Sequence, residues 1–464
     1  MSTKLLVKGG ITVTMDPKRT VVQDAGVAIE DGRIVAVGPM DDVSRGFGAK
    51  EVLDARGCIV MPGLICGHTH LYGIALRGSA LGVKPPSDFL QILQRVWWPV
   101  DEALTNDDAY ATALAAGAES LQNGTTCYAD TYSAPNAIEG SLDQIALASN
   151  EVGLRGIISF EATERRNERE GARGLQENLR FITRRNRGRA MGMISLHASF
   201  TVSDDLISRG VEASREHRVP LTIHVSEGPN DVYHNVERYG KRSVERLNDA
   251  GLLSPRSVLA HCVHLDNREI ELIAKKSASV AHNPMSNMLN AVGVASLMEM
   301  TDRGVNVGLG NDGYIFDMFE NMRAAFLLQR VARRDPNRPS PQEVLEMCTV
   351  NAAKAYGLSS LGSIEVGKRG DVILVKPSFM ATPYSGSIYG YIINGLRGPD
   401  VRDVVVDGEV VVRNKRLLKV DVPKSEARVL KTMERLWNRL GSFPPEAVEP
   451  LKQDPSHPES KASR

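Results

Sequence analysis

Cysteine is scarce and scattered in this chain. Its five thiols, Cys58, Cys66, Cys127, Cys262 and Cys348, are odd in number and include no Cys-x-x-Cys pair. That pattern argues against a disulfide framework and points to reduced thiols in a cytoplasmic protein. No run of about 18 apolar residues occurs, so the sequence offers no membrane-spanning helix. The opening MSTKLLVKGGITVTMD lacks the charged start and apolar stretch of an export signal. An excess of either charge is also missing. Lys and Arg total 56, as do Asp and Glu, which removes the electrostatic reason to invoke nucleic acid or an anionic membrane as partner. What remains is ordinary for a globular enzyme: 464 residues, 42% hydrophobic and 24% charged, enough for one large domain and a smaller one. The expected partner is a small molecule.

Residues 4–60 alternate apolar runs with turn residues, and Asp31-Gly32 between VAIE and RIVAVG is a two-residue hairpin signal. The pattern returns at 370–377 and 401–418, where Asp407-Gly408 supplies a second hairpin turn. Residues 1–60 and 366–420 are therefore predicted to form one composite β-sandwich domain. Between them, over 61–365, eight apolar runs alternate with helix-length amphipathic stretches. This rhythm predicts an α/β fold, a (β/α)8 TIM barrel, whose catalytic groups sit at the C-terminal ends of the strands. His68, His70, His197, His224, His261, His282 and Asp312 all fall at or near such predicted ends. Residues 421–464 read as a helix followed by a mobile tail rich in Pro, Ser and charge.

The most informative stretch is His68-Thr69-His70 after the apolar run IVMPGLI. Two imidazoles at i and i+2 on a strand share a face and can reach one ion at its end. Alone, such a pair is more often surface or core histidine than ligand. With His224 and Asp312 it gives three imidazoles and one carboxylate, a set suited to zinc(II), or alternatively iron(II), with room for a water. A divalent ion makes that water a nucleophile near neutral pH. Glu227, three residues beyond His224, is placed to move the proton, and His261 in AHCVH to hold the nucleophile or offset developing charge. Taken singly, Glu227 also reads as a helix-start charge and His261 as a core imidazole.

The stretches PGLICGHTHLYGIALRG, HVSE, AHCVHLD, HNPMSNM and GNDG together resemble the amidohydrolase superfamily. Within it the chain is similar to the aminohydrolase and chlorohydrolase branch, which holds guanine, cytosine and S-adenosylhomocysteine deaminases and triazine hydrolases. The subgroup it most resembles is the SsnA aminohydrolase group. The resemblance implies that His68, His70, His224 and Asp312 are the metal ligands, Glu227 the proton shuttle and His261 the imidazole beside the attacking water. The region ISLHASFTVSDD carries His197 and no lysine, which implies a single divalent metal and leaves His197 a substrate-binding role. The implied activity is hydrolytic deamination of an amino-substituted purine, pyrimidine, pterin or triazine, water attacking the ring carbon and ammonia leaving. The alternative is displacement of chloride or alkylamine from a triazine-like ring, or opening of a cyclic amide.

Substrate contacts are expected from several places. The segment 82–101 is long for a barrel connection and is predicted to supply a helix or lid, with Trp97 and Trp98 stacking on a planar heterocycle or anchoring that helix. Glu161 opens a charged run, 161–166, that closes the third strand, and Asp130 closes the second. Asn283, Ser286 and Asn287 border the metal site or serve as a turn. Cys262 reads as core, and His217, His234 and His457 as structural or solvent-facing. A homo-oligomer, as a homodimer, is expected from the resemblance.

Overall fold

A computed structural model describes residues 3–77, 83–184, 188–377 and 385–441. Eight parallel strands follow one another in chain order: Leu64–Thr69, Thr125–Tyr132, Arg155–Ala162, Ile194–Ala198, Leu221–Val225, Ser257–His261, Ser279–His282 and Asn306–Leu309. Ala190–Gly192 adds a short strand beside the third. The ends of the series meet because the Asn311 and Asp312 N–H groups donate to the His68 carbonyl at 3.0 and 3.2 Å. The result is the (β/α)8 barrel. Its second and third strands are buried along their whole length, as expected of parallel strands covered on both faces.

The intervening helices begin at side-chain caps that the sequence supplies. Ser203 accepts from Leu206 N–H ahead of Asp204–His217, and Asp266 forms a capping box with Glu269 ahead of Asn267–Lys275. Each then buries one apolar stripe on the barrel, Leu206, Ile207 and Val211 in the first case and Ile270 and Ile273 in the second.

Both chain ends enter one seven-stranded sheet, in which Ile59–Pro62 pairs antiparallel with Val372–Val375. Alternation along these strands decides what they hold together. Ile59, Met61, Ile373 and Val375 pack into the barrel's core cluster. Val60, Val372 and Leu374 pack against Leu5, Val7, Val27 and Ile29 of a separate four-stranded sheet. One sheet thus shares a core with the barrel on one face and completes a small β-sandwich on the other. The hairpins form at Asp31-Gly32 and Asp407-Gly408, all four residues having positive φ, the conformation of a type I′ turn.

The segment after the first strand contributes Phe89–Ile92, a π-helical turn Leu93–Trp97, and Trp98–Ala103. The helix Val422–Gly441 braces this region: Trp437 Nε1 donates to the Ala75 carbonyl at 2.8 Å and Arg439 Nε to that of Ala103 at 2.9 Å. The tail from 442, with His457, lies outside the described residues. Among the described residues no helix is long and apolar enough to cross a membrane.

Candidate active site

The chemistry-bearing side chains converge at the C-terminal end of the barrel. His68 and His70 leave the first strand on one face, and their Nε2 atoms lie 3.1 and 3.2 Å from Asp312 Oδ1. His224, from the fifth strand, sets its Nε2 at 3.3 Å from that of His70. His261, ending the sixth, has Nε2 3.6 Å from Asp312 Oδ1 and 3.5 Å from Glu227 Oε2. The loop after the eighth strand reaches this cluster only through glycine. A Cβ on Gly310 would lie 2.6 Å from the His68 carbonyl, and one on Gly313, whose φ is +84°, 2.4 Å from that of His70. Asp312 and His261 themselves sit at φ 56° and 70°, left-handed backbone of the kind that functional sites hold.

Hydrogen bonds on the far side of each ring fix which nitrogen faces inward. His70 Nδ1 lies 2.7 Å from the Thr131 carbonyl and His224 Nδ1 2.7 Å from that of His197. A carbonyl only accepts, so both Nδ1 atoms carry a proton and the neutral rings present bare Nε2 lone pairs. Two lone pairs therefore face each other at 3.3 Å, with the carboxylate oxygen 3.2 Å from one of them. That donor set fits a cation. The ligand atoms of His68, His224, His261 and Asp312 all lie within 4.8 Å of one another, and His70, Glu161 and His224 form an overlapping group. His261 is differently engaged. Its Nδ1 faces Asn287 Oδ1 at 2.9 Å and its Nε2 faces Asn283 Nδ2 at 3.3 Å.

Charges follow the burial. Desolvation pushes the His68 imidazole down to about 4 and that of His224 well below its usual range. Burial also pushes His70 down, but Glu161 and Asp312 more than offset it and carry the ring up to about 10, so the two carboxylates draw a cation to its inward Nε2, where a metal ion would take the place of a proton and leave the ring neutral. Burial lifts the Glu227 carboxyl to about 7 against the opposing pull of His261. For Asp312 the upward push of burial is outweighed by His261, His68 and His70, which hold the carboxyl well below the usual range.

A polarised hydrogen-bond chain runs from the aromatic wall to Asp312. Trp97 Nε1 donates to Tyr314 Oη at 2.9 Å, Tyr314 to Asn290 Oδ1 at 3.1 Å, and Asn290 Nδ2 to Ser286 Oγ at 3.2 Å. Ser286 Oγ then donates to Asp312 Oδ2. All four bonds point the same way, the arrangement in which each strengthens the next.

Above the cluster is an open cleft with Phe89, Trp97, Trp98 and Phe200 among its walls. His197 and Glu161 also line it, and so does Asp101. Asn287 is not in that wall among the described residues; its amide oxygen holds His261 from behind. Asp130 is not there either: its carboxylate accepts from Leu71 N–H at 2.8 Å and fixes the chain just beyond His70. Cys262 is buried as core. Sequence reasoning missed Thr131, Tyr314, Asn290 and Asp101. Only Tyr314 left a trace, since it directly follows the GNDG motif.

An amidohydrolase family model matches residues 59–411. A 5′-deoxyadenosine deaminase of Methanosarcina mazei is 35% identical over 448 residues, covering 94% of this chain and 99% of the relative. A 5-methylthioadenosine/S-adenosylhomocysteine deaminase of Desulforudis audaxviator is 37% identical over 427 residues, 89% of this chain and 94% of the relative. Among solved structures, an adenosine deaminase of Xanthomonas campestris with bound zinc superposes with a TM-score of 0.85 at 26% identity, over 94% of this chain and 99% of that one. The zinc complex of an atrazine chlorohydrolase from Arthrobacter aurescens gives 0.82 at 26% identity, over 92% of this chain and 100% of that one.

Proposed function

The chain belongs to the amidohydrolase family, and from that premise we propose that it is a zinc-dependent deaminase of an adenosine-type heterocycle. The observation carrying this assignment is the pair of bare imidazole nitrogens of His70 and His224 that face each other at 3.3 Å beside Asp312 and within one cluster with Glu227. His68, His70, His224 and Asp312 would hold the ion, zinc(II) in preference to iron(II), because zinc is bound in the structurally similar adenosine deaminase and chlorohydrolase. Bound there, a divalent ion supplies a water acidified toward neutrality. Glu227 would take one proton from the attacking water and pass it to a ring nitrogen, then take the second from the hydroxyl of the adduct and pass it to the departing amine; a carboxyl at about 7 exchanges protons in both directions near neutral pH. His261 faces both Glu227 and Asp312 and stabilises the negative charge that grows during attack. Trp97, Trp98, Phe89 and Phe200 flank the ring, and His197, whose Nδ1 lies 2.8 Å from the Thr201 hydroxyl, presents its other edge to the cavity. The products are the keto heterocycle and ammonia.

The same reading divides the chain into a composite β domain (1–60 and 366–420), the catalytic barrel (61–365) and a C-terminal helix with its tail. It also takes the protein to be a cytoplasmic homodimer; the location is supported by five buried, unpaired thiols.

The match to an atrazine chlorohydrolase supports one rival reading, displacement of chloride or alkylamine from a triazine. Chloride leaves without a proton, so release of chloride with no ammonia from a heterocycle panel would favour the rival. For the principal reading, zinc removal by a chelator is expected to abolish ammonia release from 5′-deoxyadenosine, and one equivalent of zinc per chain to restore it. Undiminished turnover by the metal-depleted protein would refute the assignment.

A further inference from the structure

Asp101 and Glu161 line one wall of the cavity, and with Arg165 behind them they combine a completed ion pair with two polar atoms that have no hydrogen-bond partner among the described residues. Asp101 is saturated: it accepts from Tyr72 Oη at 2.9 Å, Ser133 Oγ at 3.0 Å and Arg165 Nη2 at 2.9 Å. The Arg165 side chain is 8% exposed, its guanidinium lies 5.1 Å from the Trp98 ring, and Nη1 has no hydrogen-bond partner among the described residues. Glu161, 2% exposed, keeps Oε1 without a partner as well. That oxygen lies 3.7 Å from Nδ1 of both His70 and His224, but those protons already go to the Thr131 and His197 carbonyls. Glu161 is therefore not needed to set either tautomer, and a buried carboxylate oxygen with nothing to accept is costly unless a ligand satisfies it.

We propose that Glu161, with the Arg165–Asp101 pair beside it, is a specificity site that accepts a hydrogen bond from a hydroxyl or ring N–H of an uncharged substrate. The inference rests on the deaminase reading for the identity of the ring but not for the existence of the site. Asp101 neutralises the guanidinium, so the wall carries one more acid than base and does not attract anions. The favoured substrates are neutral nucleosides or free bases, not their phosphorylated forms. The two donor sources differ in chemistry: sugar hydroxyls on one hand, the N–H edge of a guanine-like ring on the other.

The test uses zinc-loaded Glu227→Gln protein, designed to bind without turnover, with and without Glu161→Gln, an isosteric change that exchanges one acceptor oxygen for a donor. Calorimetry measures adenosine, 2′,3′-dideoxyadenosine, guanosine and adenosine 5′-monophosphate, and ammonia release from wild type is followed in parallel. Glu161→Gln is expected to keep one zinc per chain and to weaken adenosine or guanosine binding by about 10- to 100-fold. A loss for adenosine that vanishes with the dideoxy compound assigns the sugar hydroxyls; a loss only for guanosine assigns the ring edge. Unchanged affinities, tighter binding of the monophosphate than of adenosine, no binding of any neutral ligand, or loss of zinc in the variant would each overturn the proposal. Ligand binding with the expected Glu161 effect but no ammonia from wild type would instead sink the deaminase reading and leave the site standing.

Discussion

A histidine's role is decided by what its other nitrogen touches. The backbone carbonyls of Thr131 and His197 set the tautomers of His70 and His224 and aim two lone pairs at one point. His68, His70, His224, Glu227 and Asp312 were legible in the sequence because each carries its own chemistry and falls at a strand end. Thr131 was not, since any residue type supplies a carbonyl, and neither was Tyr314, which meets Trp97 from 217 residues away. The chain from Trp97 to Asp312 gives Tyr314 a testable part. Tyr314→Phe removes the hydroxyl that links two buried partners, Trp97 Nε1 and Asn290 Oδ1, and frees Ser286 and Asp312 to reorient. Zinc affinity or kcat/KM is expected to fall by about tenfold or more, in the range found when groups behind a metal ligand are lost. Competition with a chromogenic chelator and steady-state kinetics would measure it, and wild-type values for both would show the chain to be idle.

At the scale of elements, the eight barrel strands were legible because parallel strands covered on both faces must be apolar throughout, and turn residues bound each run. The hairpins at Asp31-Gly32 and Asp407-Gly408 were equally plain, since few dipeptides tolerate two consecutive positive φ values. What periodicity does not carry is direction toward a ligand. The segment holding Trp97 and Trp98 was expected to be a helix or a lid near the pocket, but its π-helical turn at Leu93–Trp97 follows from tertiary contacts. Asp130 also closes a strand, and there its carboxylate accepts from the backbone N–H of Leu71. Glu161 and Arg165, at the third strand's end, each keep one polar atom unsatisfied among the described residues; they belong to a charged run that reads in sequence either as a substrate contact or as an ordinary loop.

For the whole molecule, the barrel and the β domain are joined by an ionic cluster as well as by apolar contacts. Asp407 lies 2.6 Å from both Arg155 Nη2 and Arg369 Nη1, and Arg155 also pairs with Asp371 at 3.1 Å. Burial pushes the Asp407 carboxyl up, but these guanidinium groups outweigh it and hold it below its usual value. A depressed carboxyl stabilises the fold above its unfolded pKa, about 3.9, and the contribution disappears as pH falls through the folded value. Asp371 is shifted the other way, by burial first and in part by the Asp407 carboxylate itself, so the comparison of wild type with Asp407→Asn reports on the coupled pair rather than on Asp407 alone. The variant is expected to lose about 1–3 kcal/mol of unfolding free energy at pH 7, with the difference shrinking below about pH 4; urea titrations at both pH values would reveal a pH-independent difference if the cluster plays no such part. The central claim, one cation held by three imidazoles and Asp312 with Glu227 moving the proton, is tested most directly by measuring zinc and turnover on a single sample of Glu227→Gln. The expected result is one zinc per chain with ammonia release lowered by about 100-fold or more; zinc-loaded variant protein that turns over at the wild-type rate would contradict it.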